Sequence, residues 1–330
     1  MQRAPLGSTE IEVSRLCMGT ATFGGQSDDQ ASFAMLDACA AKGVDFIDTA
    51  NVYPLASEPG DKGISERIVG RWLKGRRQRF VVATKGGGKM GLLPAQGGNS
   101  SKHLIDAIDA SLQRLGTDYV DLYQLHYDDP DTPLDETLAA LDTIVRSGRA
   151  RHAGVSNFRA WRLARAVGRC ETNRWMRPVA VQPRYNLLFR QIERDLVPLC
   201  REEGLAMICY NPLAGGLLSG KHRFDAPPDA YGRFGAGKGA VMYQDRYWHE
   251  REFVAVSAFV KLAAAAGIAP VQLAIAWVLA QPGVTSAILG ASRVEQLAQV
   301  LDCTEIQIPP DLLTQLDELS IEFRMGDASR

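Results

Sequence analysis

The chain has 330 residues, 46% hydrophobic and 23% charged, enough to build one α/β barrel or two smaller domains around a sizeable core. Lysine and arginine (37) nearly balance aspartate and glutamate (38), and a formal charge of -1 argues against a nucleic-acid partner or an anionic membrane surface. Six cysteines without a C-x-x-C pair, no apolar leader and no run of ~18 apolar residues set the expectation of buried free thiols in a soluble, cytoplasmic protein.

Residues 5–13 read as a hairpin turning at Gly7-Ser8, a lid under the floor of the elements that follow. Short apolar runs then recur at 15–18, 44–47, 80–84, 119–125, 152–155, 179–182, 205–210 and 286–289. Amphipathic stretches fall between them at 30–42, 64–74, 104–115, 133–147, 158–168, 190–203 and 292–302. In one of these, Leu104, Ile105, Ile108, Leu112 and Leu115 share a face, with Ser101 as the cap. In another, Thr132, Pro133 and Asp135 read as N-cap, first-turn proline and capping-box acid. Gly43, Gly148 and Gly204 stand where helices should end.

Strands alternating with helices predict parallel pairing through right-handed crossovers, and eight such units predict a closed (β/α)8 TIM barrel spanning 1–330 as a single domain. A long Gly/Pro-rich loop at 212–247, carrying Tyr231, Phe234, Tyr243 and Tyr247, follows the seventh strand and reads as functional. A C-terminal helix at 309–321 completes the chain. Two arginine groups (Arg76, Arg77, Arg79; Arg162, Arg165, Arg169) read as solvated surface.

Several motifs mislead. Gly86 to Gly91 matches G-x-G-x-x-G after a strand, but residues 92–98, with Pro94, do not open a helix. Gly215 to Lys221 and Gly232 to Lys238 fit G-x-x-x-x-G-K, yet His222 and Gly239 stand where a P-loop has Ser or Thr. The five histidines are dispersed, so no metal site is expected.

Barrel chemistry sits where strands end at the C-terminal face. The residues there are Asp48, Tyr53, Lys85, His126, Ser156-Asn157, Gln182, Tyr210-Asn211 and the 290–293 segment. A lysine closing an apolar strand is costly unless paired, and Asp48 on the adjacent strand is its natural partner. A cation beside Tyr53 would lower the phenol's pKa towards working pH and fit it as a proton donor, with His126 orienting a carbonyl oxygen. Singly, each of the four is more often structural. Jointly, at the ends of the second, third and fourth strands, they suit protonation of a developing alkoxide.

On these residues the sequence resembles the aldo-keto reductase family, in a subgroup of bacterial reductases and potassium-channel beta subunits. The motifs that carry the resemblance are Asp48-Thr-Ala-Asn-Val-Tyr53, Ala83-Thr-Lys85, Asp121-Leu-Tyr-Gln-Leu-His126, Gly154-Val-Ser-Asn-Phe158, Gln182-Pro-Arg-Tyr-Asn186, the run from Tyr210 to Lys221, and Leu289 to Leu297. The resemblance implies Tyr53 as general acid, Lys85 and Asp48 as its tuning pair and His126 as the orienting group. It further implies Ser156, Asn157 and Gln182 as partners of a nicotinamide carboxamide, with Tyr210 stacked on the nicotinamide ring. Thr20, Asp48 and Gly290 complete the implied cofactor contacts. In the loop after strand seven, Leu213, Gly215 and Lys221 resemble the backbone clasp of the pyrophosphate, with Arg233 as a candidate for closing over it. Ser292, Arg293 and Gln296 match positions around a 2′-phosphate, which favours NADPH over NADH.

Two departures stand out. Gln299-Val300 replaces the Glu-Asn that relatives place on the adenine, and Pro54 replaces the Gly that follows the tyrosine. Phe23, Tyr127 and Phe158, with the aromatics of the insertion, are expected to wall the substrate pocket. The expected partner is a small carbonyl or alcohol substrate, and the oligomeric state stays open. The alternative is a regulatory, redox-sensing subunit that holds the cofactor and turns over slowly. A phosphate-dependent isomerase barrel leaves Tyr53, Lys85 and His126 unexplained.

Overall fold

The computed structural model describes residues 1–55, 58–93, 96–230, 232–235 and 239–325. Pro94, Tyr231 and Lys238, each used in the sequence reading, lie outside the described residues. Strands β1 (Arg3–Pro5) and β2 (Glu12–Ser14) pair antiparallel. The barrel strands are β3 (Leu16–Gly19), β4 (Phe46–Asp48), β5 (Val81–Gly86), β6 (Val120–Leu125), β7 (Ala150–Ser156), β8 (Ala180–Gln182), β9 (Ala206–Cys209) and β10 (Val284–Gly290). They close in sequence order, β10 pairing with β3, and every pair is parallel. The expected (β/α)8 barrel with its N-terminal hairpin is therefore the observed fold.

Two cores hold it. Leu16, Met18, Ile47, Val82, Tyr123, Val155 and Val181 face outward under the helices. Their strand neighbours Cys17, Phe46, Ala83, Leu122, Ala180, Ala206 and Ile288 face inward and fill the barrel. Leu6 and Val13 of the hairpin join that inner cluster. At the hairpin turn Gly7 has φ +64, and a Cβ there would lie 2.4 Å from the Val179 carbonyl oxygen. The hairpin thus seals the floor where β8 and β9 begin.

The helices are α1 (Asp29–Ala41), α2 (Ile64–Leu73), α3 (Ser101–Leu115), α4 (Leu134–Arg146), α5 (Ala160–Asn173), α6 (Leu196–Glu202), α7 (Ala240–Tyr247), α8 (Glu250–Ala265), α9 (Pro270–Ala280), α10 (Val294–Ala298), α11 (Pro310–Leu319) and α12 (Glu322–Met325). The 212–247 segment is more ordered than expected, because Ala214–Ser219 forms 3-10 turns and α7 closes it. Helix α9 gives no amphipathic signal, since Leu273 to Leu279 are all buried; Pro270 in its first turn is the only readable mark. No single helix among the described residues is long and apolar enough to cross a membrane.

Three local expectations are corrected. The cap of α3 is Ser100, not Ser101, and its side chain accepts from the His103 amide. Pro133 itself occupies the N-cap of α4, while the Thr132 hydroxyl donates to Asp129 at 2.6 Å. Arg77 is not solvated: it donates to Asp121 at 2.8 Å and to the Phe80 carbonyl at 2.8 Å, bridging strand beginnings. The six cysteines are all free and buried.

Candidate active site

Period-two alternation builds the upper end of the barrel. Because Phe46, Ala83, Leu122 and Ala180 point inward, so do Asp48, Lys85, Gln124 and Gln182, two residues further along each strand. Lys85 has no exposed surface and Asp48 only 2%. The Lys85 ammonium lies 2.5 Å from Asp48 Oδ2, donates to the Thr49 carbonyl at 2.9 Å, and reaches the Tyr53 hydroxyl at 3.5 Å. The other carboxylate oxygen, Oδ1, accepts from Gln182 Nε2 at 2.8 Å and from Gln124 Nε2 at 3.3 Å. Both buried charges are thus hydrogen-bonded as well as paired, the condition under which such a pair is tolerated.

Tyr53 sits on the loop after β4, its amide tied to the Ala50 carbonyl, and the Tyr53–Pro54 peptide is cis. Beyond Pro54 the chain turns back, with the Leu55 amide on the Ala21 carbonyl and the Gly63 amide on the Tyr53 carbonyl. His126 follows β6, held by its amide to the Gly86 carbonyl at 2.9 Å. Its ring stands edge-on to Tyr53, centroids 5.7 Å apart, and its Nδ1 is buried without a hydrogen-bond partner in the structure. Asp48, Tyr53, Lys85 and His126 therefore meet in one cluster.

One electrostatic expectation is overturned. The Tyr53 phenol is held well above its ordinary range, first by burial and then by the Asp48 carboxylate, with Arg233 opposing. The Lys85 ammonium does not pull it down, because that charge is already spent on Asp48 and lies by the Tyr53 ring, 5.0 Å from its centroid. Burial, and then Lys85, push His126 well below its ordinary value, so its imidazole stays neutral. The cluster thus offers a protonated phenol beside a neutral imidazole.

Around it, Tyr210 donates its hydroxyl to Asn157 Oδ1 at 2.8 Å. Asn157 Nδ2 donates to the His126 carbonyl at 3.0 Å and to Ser156 Oγ at 3.1 Å, and Ser156 donates to the Gln182 carbonyl at 2.9 Å. Asn157 and Asn211 both adopt positive φ (60° and 63°), a region asparagine tolerates better than most residues. Burial raises the Tyr210 phenol to about 12.

In the loop after β9 several amides are held by the loop itself. The Gly215 amide is bonded to Asn211 Oδ1 at 2.6 Å, and the amides of Ala214 and Gly216 to carbonyls of their own turn. Leu213 is half-buried beside them. What this edge presents instead is charge. The side chains of Lys221 and Arg293 are exposed and make no hydrogen bond or ion pair to a described residue. Arg233 donates only to Tyr243, at 3.3 Å, and its Nη2 lies 3.5 Å from where a side chain on Gly290 would begin. Gln296 Oε1 accepts from the Ser292 amide at 2.9 Å and closes the first turn after β10.

Some expected contacts do not reach the mouth. Thr20 is wholly buried and its hydroxyl donates to the Asp48 carbonyl at 3.2 Å, so it braces β4 from behind. Phe23 has no exposed surface and Phe158 has 5%; both belong to the outer core and support the mouth without lining it. Tyr127 does line it, 51% exposed and stacked on His126 at 4.5 Å. Val300 is 5% exposed and packs in the core, while Gln299 is exposed. Gln124 was not singled out from the sequence. Its position two residues before His126 on the same strand face was the available signal.

Residues 15–321 match the aldo/keto reductase family. The chain belongs to that family. It is 35% identical over 327 residues to the "Uncharacterized oxidoreductase YrpG" of Bacillus subtilis, covering 97% of this chain and 96% of that protein. It is 32% identical to a "Probable voltage-gated potassium channel subunit beta" of Arabidopsis thaliana, covering 97% and 96%. It is 34% identical over 303 residues to the human "Aflatoxin B1 aldehyde reductase member 2", covering 87% and 81%. The aldo-keto reductase barrel thus occurs here with relatives named both as oxidoreductases and as channel subunits.

Proposed function

We propose that this aldo-keto reductase is an NADPH-dependent oxidoreductase that reduces an aldehyde or ketone to the alcohol, reversibly. The observation that carries the reading is a buried Tyr53 hydroxyl within 3.5 Å of an ammonium that is itself locked to Asp48. The residues present also fit the cofactor. Lys221, Arg233 and Arg293 are cations with no ion-pair partner among the described residues, suited to phosphate groups. Ser156, Asn157 and Gln182 offer amide and hydroxyl groups for a carboxamide, with the Tyr210 ring beside them, and Ser292 with Arg293 supports NADPH over NADH. When bound, the reduced nicotinamide supplies the hydride.

The chain's own residues supply the rest. Neutral His126 donates a hydrogen bond to the substrate carbonyl oxygen and sets its place in the mouth. As the oxygen gains negative charge, Tyr53 gives it the phenolic proton. The resulting phenolate is stabilised by the nearby Lys85 ammonium, whose position is fixed beforehand by Asp48, Gln124 and Gln182. Tyr53, 9% exposed, regains its proton from water at the mouth. Burial keeps the phenol protonated at neutral pH, so the acid is always loaded.

The test is steady-state reduction of an aldehyde panel with NADPH and with NADH. Tyr53→Phe should lose about a hundredfold or more in kcat while still binding cofactor, the scale of a positioned acid. Unchanged kcat would remove Tyr53 from the reaction. The full-length similarity to a channel beta subunit supports a second reading, in which cofactor binding regulates a partner; tight NADPH binding with no turnover of any aldehyde would select it.

A further inference from the structure

The His126 imidazole has one nitrogen to offer a substrate and one turned into the protein, and no hydrogen bond holds the second. Nδ1 is buried without a hydrogen-bond partner in the structure. An imidazole at work usually has its tautomer and direction set by the bond that this second nitrogen makes. The backbone of His126 is fixed on both sides: its amide donates to the Gly86 carbonyl at 2.9 Å, and its carbonyl accepts from Asn157 Nδ2 at 3.0 Å. Those bonds leave the side-chain torsions free, so packing has to set the direction of the ring.

Two tyrosines supply that packing. Tyr53 meets the imidazole edge-on, at 83° with centroids 5.7 Å apart. Tyr127 lies flat against it, at 5° and 4.5 Å. Consecutive residues cannot stack along an extended strand, where neighbours point to opposite faces. Strand β6 ends at Leu125, and the chain bends over residues 126–127, which turns both rings to the same side. The stacked ring is itself anchored through its backbone. The Tyr127 carbonyl accepts from Asn99 Nδ2 at 2.9 Å, Asp128 pairs with Arg162 at 3.1 Å, and Asp129 accepts from the Asn99 amide at 2.8 Å. The Tyr127 hydroxyl makes no hydrogen bond to a described residue. A half-exposed ring with an idle hydroxyl is thus pressed flat on the one imidazole of the mouth.

Aromatic pairs contribute beyond the area that they bury. An imidazole free to swing meets the carbonyl oxygen for only part of the time, and a misplacement of about 1 Å in an active site can cost about a hundredfold in rate. We infer that Tyr127 is a positioning residue: its ring, not its hydroxyl, holds the His126 imidazole at the angle from which Nε2 meets the substrate oxygen. The inference rests on the reductase reading for the task of His126, and it gives Tyr127 a role beyond that of a pocket wall.

Steady-state kinetics of Tyr127→Leu with NADPH, on a small aldehyde (propanal) and a large one (2-naphthaldehyde), tests it. Expected is a loss of about tenfold in kcat, the contribution of an aromatic pair, and equal for the two aldehydes because the defect lies in His126 and not in contact with the substrate. Tyr127→Phe, which keeps the ring, should regain most of that loss. In a His126→Asn background Tyr127→Leu should cost nothing further, since it acts through a group already removed. A loss confined to the large aldehyde, an equal loss in Tyr127→Phe, or full additivity with His126→Asn overturns the inference and leaves the reductase reading standing. Absence of turnover with both aldehydes sinks the reductase reading instead. Nitrogen NMR of the full chain with labelled histidine then decides the positioning role by itself, the His126 signals being those missing from His126→Asn. A single Nε2-protonated tautomer in the wild type and in Tyr127→Phe that becomes a mixture in Tyr127→Leu upholds it, and the same spectrum in all three refutes it.

Discussion

Replacing Asp48 by asparagine keeps the size of the side chain and removes its charge, which isolates what the buried pair contributes. In the native site Oδ2 faces the Lys85 ammonium and Oδ1 faces two amide donors, Gln124 and Gln182. An asparagine has one acceptor oxygen and one NH2 group, so whichever way it turns, a donor is set against a donor. Lys85, with no exposed surface, loses its counter-charge and is left with neutral acceptors such as the Thr49 carbonyl at 2.9 Å and the Tyr53 hydroxyl at 3.5 Å. Breaking a pair of this kind costs about 3–5 kcal/mol. For a chain of 330 residues the unfolding entropy is about 0.7 kcal/mol per kelvin, so Tm should fall by about 4–7 °C. Calorimetry of Asp48→Asn, Lys85→Met and the double variant closes the cycle. The double variant should be less destabilised than the sum of the singles by about 2 kcal/mol, since each single leaves the other group orphaned. A loss below about 1 kcal/mol for Asp48→Asn, or strict additivity, would refute the picture of a pair whose members are buried only because of each other.

His126 gives a pH signature. Its folded-state value is depressed below the ordinary 6.5, so the stability it confers is present above that pH and is lost as pH falls. Between about pH 6.5 and 5 the wild type should lose stability faster than His126→Asn, by up to about 1.4 kcal/mol per pH unit; parallel urea-denaturation profiles would contradict this. Gly86→Ala tests the close packing under Lys85. A Cβ there would lie 1.8 Å from the hydroxyl of Tyr123, which is wholly buried and bonded to the Leu104 carbonyl at 3.3 Å. Urea unfolding should show a loss of about 1–3 kcal/mol, and a change under ~0.5 kcal/mol would mean that Tyr123 swings clear.

Much of the fold was legible because local rules sufficed. The apolar runs became the barrel strands with boundaries shifted by a residue or two, and Gly43, Gly148 and Gly204 adopt the positive φ expected past a helix end. Less legible were elements without periodicity. Helix α9 is apolar on every side, and α7 lies in a stretch whose glycines and prolines read as loop. At Gly215 the reading was partial for a related reason: glycines announce close backbone approach but not which partner approaches. Here that partner is Asn211 from the same loop.

By itself, the sequence determined the strand ends and hence which polar side chains could share a mouth, because a two-residue period carries Phe46 to Asp48 and Ala83 to Lys85 on one face. Only the tertiary structure decided how those groups divide their charge. From sequence alone, Lys85 beside Tyr53 meant a lowered phenol. In the folded chain Asp48 claims that cation at 2.5 Å and burial dominates, so the phenol keeps its proton. Thr20 and Phe23 were likewise placed by chain position at the right end of the barrel, but packing buried Thr20 against the Asp48 carbonyl and Phe23 in the outer core, since a side chain's direction depends on neighbours far along the chain.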